Sequence, residues 1–280
     1  WDKVENAPNT MLINLQGNLQ KYNSGVGLSF MNDVIGLGKE MEINLNYAYH
    51  YNVQGYGFLS GGVGLGIENV AFDPKWNAPQ TGGDITLDPN LPQGASGTGL
   101  NVNFGLHWKG ASLPYYVGLS ITHLNAPTLQ NVNFTKARHY YILAGYDIDA
   151  RMFPRMPSGL SFKPSILFKT DATAGILDIN VLADYWFSSG MDGIYGGVTY
   201  RDKDAFALMI GFQKKLYTDA SGENGSLKGA ADVVKFGYSY DIMTGPLAEY
   251  GSGSHELFFN YCMFPPPPPV QRYGNVFILQ

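Results

Sequence analysis

The feature that most constrains this 280-residue chain is an alternation of apolar and polar side chains with a period of two, repeated in block after block. It is plainest between Glu42 and Asn52. There Ile43, Leu45, Tyr47, Tyr49 and Tyr51 fall on one face, and Glu42, Asn44, Asn46, Ala48, His50 and Asn52 on the other. Successive side chains of a strand point to opposite faces, so the block reads as a two-faced strand and not as a helix. An aqueous sheet face has no need of three tyrosines in register, whereas a lipid-facing strand ending in an aromatic girdle does. The block is also about as long as the roughly 9–11 tilted residues that cross a bilayer.

The same pattern predicts strands over 11–19, 25–31, 59–68, 100–108, 115–122, 138–148, 160–169, 176–187, 193–200, 205–214, 233–241 and 254–264. With 42–52 these make thirteen. Single-chain bacterial barrels have even strand numbers, so a fourteenth strand is expected just before Trp1. One face of 59–68 carries Gly62, Gly64 and Gly66, which implies a crowded interior or a bend. The last strand ends on Phe264, and Pro265 to Pro269 forbid further ladder hydrogen bonds. The expected fold is an all-β, transmembrane, antiparallel up-and-down β-barrel of about 14 strands over residues 1–264, followed by a proline-rich periplasmic tail over 265–280.

Composition narrows the alternatives. Hydrophobic residues make up 45% of the chain, yet mean hydropathy is −0.11. No run of about 18 apolar residues occurs, which excludes spanning helices. A soluble β-sandwich is the competing fold class. A net charge of −5 supplies no basic field for nucleic acid. Cys262 is the sole cysteine and makes no internal disulfide.

The longest connection runs from Asn69 to Thr98, long enough to be functional, and barrels place such loops outside the cell. Asp73, Pro74 and Trp76 are its candidate partner contacts. Most short turns then fall on the periplasmic side, together with both termini. Five consecutive prolines form a polyproline spacer of roughly 15 Å. It carries an apolar segment away from the wall, and Pro269, Tyr273, Val276, Phe277, Ile278 and Leu279 are expected to dock on a periplasmic protein or on the barrel mouth.

Catalytic chemistry finds little support. Ser254, His255 and Glu256 supply all three residue types of a hydrolase triad, but in a strand His255 points away from both neighbours. His50, His107, His123, His139 and His255 are scattered without the spacing of a zinc site. Asp73, Asp84 and Asp88 lack the spacing of a calcium loop. No metal and no cofactor is therefore expected. The polar faces place Asn44, Asn46, His50, Asn101, Asn103, His107, Lys163, Asp178 and Asp184 along the lumen. Lys163 and Lys169 stand opposite the acids Asp178 and Asp184, either as a structural ion-pair network or as a selectivity lining.

Several segments together resemble one family. His139-Tyr140-Tyr141 with Ala144-Gly145-Tyr146, Lys163-Pro164-Ser165 with Lys169, Tyr200-Arg201, Gly237-Tyr238-Ser239-Tyr240-Asp241 and Gly253-Ser254-His255-Glu256 stand in the order and spacing of the PorP/SprF family of the type IX secretion system. The similarity covers nearly all of the chain, and the proline-rich tail departs from it. The resemblance implies an outer-membrane barrel that works with other type IX components to deliver or hold large surface proteins such as gliding adhesins. The partners it implies are the C-terminal domain of a secreted cargo protein, the translocon and periplasmic ring lipoproteins, with outer-membrane lipid around the wall.

The resulting expectation is a non-enzymatic secretion-system barrel that binds protein partners. A small-solute channel or transporter of the outer membrane is the alternative, with the lumen-facing asparagines and acid–base pairs as its lining. An outer-membrane hydrolase is a third reading, and it would require a lumen or rim histidine.

Overall fold

A computed structural model describes residues 7–72, 94–216 and 232–263, apart from 130, 133, 154, 246–247, 249–250 and 252. Its strands are β1 (Asn9–Leu19), β2 (Ser24–Ile35), β3 (Gly38–Val53), β4 (Gly57–Phe72), β5 (Ala95–Gly110), β6 (Tyr115–Thr122), β7 (Thr128–Leu129), β8 (Phe134–Thr135), β9 (His139–Tyr146), β10 (Ile148–Asp149), β11 (Leu160–Thr170), β12 (Gly175–Trp186), β13 (Asp192–Arg201), β14 (Ala205–Leu216), β15 (Asp232–Met243) and β16 (Ser254–Cys262). Thirteen of them form one antiparallel meander in the order β1-β2-β3-β4-β5-β6-β9-β11-β12-β13-β14-β15-β16. The thirteen strands read from the sequence are all present in that order.

Alternation governs the two faces. On β3 the residues Ile43, Leu45, Tyr47, Tyr49 and Tyr51 are exposed, while Glu42, Asn44, Asn46, Ala48 and His50 are half-buried. Leu65, Leu100, Ile210, Leu257 and Phe259 extend the apolar face, each more than 60% exposed. A face this apolar and this exposed is what a lipid-contacting wall presents. Among the described residues no helix is long and apolar enough to cross a membrane.

The polar face is concave. Lys235 on β15 lies 3.8 Å from Asp184 on β12, and the rings of Tyr195 on β13 and Phe258 on β16 are 5.8 Å apart. In a flat sheet strands three positions apart stand roughly 14 Å from one another. Side chains that meet across that span require the strands to curve toward the polar side. β1 and β16 are unpaired with each other among the described residues. They lie an even number of antiparallel steps apart and so run in the same direction.

Several details differ from expectation. The predicted strand over 138–148 is interrupted after Tyr146: β9 and β10 both pair with β11 in one register, and the break falls opposite Pro164, which has no N–H to offer. On the other side of the strand the Asp147 N–H bonds to the Pro114 carbonyl, continuing the β6–β9 ladder. Short turns do not separate cleanly to one end, because 36–37, 171–174 and 202–204 share an end with 123–138. The tight turn between β3 and β4 closes with Tyr56 N–H donating to Val53 O, and Gly55 adopts φ +81° at its third position.

The segment from His123 to Arg138 is not a simple outer loop. β5 pairs with β6 only through Phe104–Lys109, which leaves its first half without a neighbouring strand on that side. Asn125 replaces the missing strand: its Oδ1 accepts from Val102 N at 3.1 Å, and its Nδ2 donates to Leu100 O at 2.6 Å. The β7–β8 hairpin then folds onto the concave face. Leu129 is fully buried, seated so close over Gly99 that an added Cβ there would lie 2.5 Å from Leu129 Cδ2.

Candidate functional site

The concave face carries two polar arcs, and the chemistry of each follows from strand register. On β11 and β12 the pairing sets Lys163 beside Leu182 and Lys169 beside Ile176, one diagonal step from Asp184 and Asp178. Lys163 Nζ reaches Asp184 Oδ2 at 2.5 Å, and Lys169 Nζ reaches Asp178 Oδ2 at 2.8 Å. Arg201, directly opposite Asp178 on β13, donates from Nε to Asp178 Oδ1 at 3.2 Å. Its Nη1 also donates to Asp204 Oδ2 at 3.1 Å and lies 3.7 Å from Asp241 Oδ2. Asp178 and Asp184 are 5% and 3% exposed. Each has at least two cations, as buried carboxylates require.

Glycines make room for this arc. Tyr195 lies across Gly211 and Gly237, where any Cβ would run into its ring or hydroxyl, and Lys235 stands 5.6 Å from the Tyr195 centroid. Asn180 accepts a hydrogen bond from Thr199 Oγ1 at 2.5 Å. At the strand ends Asp171 accepts from the N–H groups of Ala174 and Thr173. Those backbone donors hold its carboxyl below the usual carboxylate range.

The second arc spans β3, β4 and β5. Its glycine row, Gly62, Gly64 and Gly66, is the crowded interior anticipated from the sequence. Asn46 sits over Gly64 and Asn44 over Gly66. Across β4, Asn103 Nδ2 donates to Asn44 Oδ1 at 3.2 Å, and Asn101 Nδ2 to Glu42 Oε1 at 2.5 Å. Asn44 Nδ2 donates to the same Glu42 oxygen at 2.8 Å. The turn register places Glu68 directly opposite Glu42, and His123 Nε2 stands 3.3 Å from Glu68 Oε2. One ligand atom from each of Glu42, Glu68 and His123 fits within 4.8 Å.

All nine anticipated lumen residues fall on this concave face, but in separate groups. Asn103 bonds Asn44, and Asn44 and Asn101 share Glu42 Oε1; Asn46 is adjacent; Lys163 joins Asp184; Asp178 joins Lys169 and Arg201. His50 Nδ1 lies 2.8 Å from Ser60 Oγ, and His107 stacks on Tyr116 with centroids 6.0 Å apart. Asp73, Pro74, Trp76, Pro269, Tyr273, Val276, Phe277, Ile278 and Leu279 lie outside the described residues. Sequence reasoning missed Glu42, Glu68, His123, Arg201 and Lys235 as site members. The facing of Glu42 and Glu68 was legible once the Val53–Tyr56 turn fixed the register; His123 and Lys235 come from tertiary curvature.

The triad types in β16 stay apart. His255 faces the apolar side against Tyr238 Oη at 2.7 Å, while Glu256 faces the polar side with Ser239 Oγ at 3.4 Å. A family model described as type IX secretion system membrane protein PorP/SprF matches residues 1–261. Comparison with curated proteins gives no match.

Proposed function

This chain belongs to the PorP/SprF family of type IX secretion system membrane proteins, and from that premise we propose that it is a non-enzymatic outer-membrane barrel that binds secreted cargo and helps deliver or anchor it at the cell surface. Adhesins are the cargo class, recognised through a C-terminal domain. The translocon and periplasmic ring lipoproteins are its further partners. The observation that carries the reading is the family match over residues 1–261.

The concave face favours binding over passage of whole proteins. Paired charges bridge β11 to β15, and the β7–β8 hairpin lies inside the curve of the wall. A barrel of about 14 strands, filled this way, is too narrow for a folded adhesin. Partner contacts then belong to the outer connection with Asp73, Pro74 and Trp76 and to the tail with Pro269, Tyr273 and Val276 to Leu279. In this reading both termini are periplasmic.

Purification from the native outer membrane under mild detergent, followed by identification of what is retained, tests the proposal. Type IX components and a cargo C-terminal domain are expected. The polar lining by Asn44, Asn46 and Asn103 favours the second reading, a small-solute channel. Steady single-channel conductance in planar bilayers, with no retained partner, would select it.

A further inference from the structure

We propose that Glu42, Glu68 and His123 form a divalent-cation site that fastens the inward-folded 123–138 segment to the barrel wall. Glu68 is fully buried and His123 is 9% exposed. Among the described residues, neither Glu68 carboxylate oxygen and neither His123 ring nitrogen has a hydrogen-bond partner. Buried polar groups in folded proteins are almost always satisfied, so four such atoms in one place ask for an occupant. Glu68 Oε2 and His123 Nε2 face each other at 3.3 Å without a hydrogen bond between them. Two donors on one tetrahedral zinc ion, with bonds of about 2.1 Å, stand about 3.4 Å apart.

The charges point the same way. Two carboxylates face one another across the β3–β4 ladder, and among the described residues no lysine or arginine pairs with either. Lys136, from the same segment as His123, is committed to Glu40 at 2.6 Å. A divalent ion would neutralise both glutamates. Glu42 is already oriented by two amide donors, Asn44 and Asn101, the outer support that metal-binding carboxylates have. Asn101 Oδ1 is also buried without a partner among the described residues. One imidazole nitrogen with carboxylate oxygens suits zinc or manganese.

The site would hold the wall to the segment folded against it. His123 leaves β6 with φ +54°, Leu129 seals over Gly99, and the ion would tie the start of that segment to β3 and β4.

The full chain, purified as a folded barrel, is stripped with a chelator and dialysed against micromolar Zn²⁺, Mn²⁺ or Ca²⁺ in separate arms. Folding is checked by heat-modifiable migration, and metal is counted by mass spectrometry. The expected result is about one equivalent of Zn²⁺ or Mn²⁺, falling at least tenfold in Glu68→Gln and in His123→Gln. Glu256→Gln, elsewhere on the concave face, retains it. Metal should also slow proteolysis within 123–138 in the parent and not in either variant. A folded parent that retains neither Zn²⁺ nor Mn²⁺ would overturn the proposal, and so would retention that both variants leave intact or retention of Ca²⁺ alone.

Discussion

On the β11–β15 arc Asp178 and Asp184 each face two cations, whereas on the β3–β5 arc Glu42 and Glu68 face each other, two asparagines and one histidine. Both arcs use the same scaffold, a concave sheet face with glycines beneath large side chains. The difference teaches what each is built for. The first arc is electrostatically complete within its own wall strands. Among the described residues the second is left one positive partner short, and the segment that reaches it enters from between β6 and β9.

The largest expected effect tests the shared scaffold. A Cβ at Gly237 would meet the rigid rings of Phe258 and Tyr195, so Gly237→Leu should cost about 3 kcal/mol or more and leave much of the barrel unassembled. Gly66→Ala meets mainly the end of Asn44 and one backbone oxygen, and should cost about 1–2 kcal/mol. The midpoint of heat-modifiable migration reads both. Equal costs would erase the distinction between a ring-packed arc and an amide-packed one.

Leu129→Ala should loosen the second arc alone. Removing a fully buried leucine costs about 2–3 kcal/mol, seen as faster amide exchange through 123–138 with β11–β15 unchanged. Loss of protection over both arcs would mean that the hairpin supports the whole barrel.

A matched pair of acid-to-amide changes gives opposite signs. Asp178→Asn strands Lys169 and leaves Arg201 with Asp204 and Asp241 alone. Because those cations are about one third exposed, the loss should be about 2 kcal/mol, below that of a fully buried pair. Glu68→Gln in chelator removes an uncompensated buried charge and should leave stability unchanged or raise it by about 1 kcal/mol. A loss from both changes would show that Glu68 is already satisfied without a cation. The smallest effect is His255→Ala on the apolar face, within about 0.5 kcal/mol and without consequence for secretion.

Much of the wall was legible because a half-buried strand must alternate, and thirteen blocks did so. The Lys163–Asp184 and Lys169–Asp178 pairs were legible for the same reason, since adjacent strands in simple register bring them together. Lys235 was not, because its approach to Asp184 depends on the curvature of four strands together. The β7–β8 hairpin also escaped, since its burial rests chiefly on one leucine over one glycine and leaves no period in the sequence. His123 belongs to that hairpin's approach, so local spacing rules for metal ligands had nothing to detect.

The central claim is that the barrel works by holding partners and not by conducting solutes. Its most direct measurement is quantitative mass spectrometry of the barrel captured from native outer membrane in mild detergent, beside an unrelated barrel of similar abundance. The account predicts stoichiometric enrichment of type IX components and of a cargo C-terminal domain. A barrel recovered alone, with secretion unchanged in its deletion strain, would contradict it.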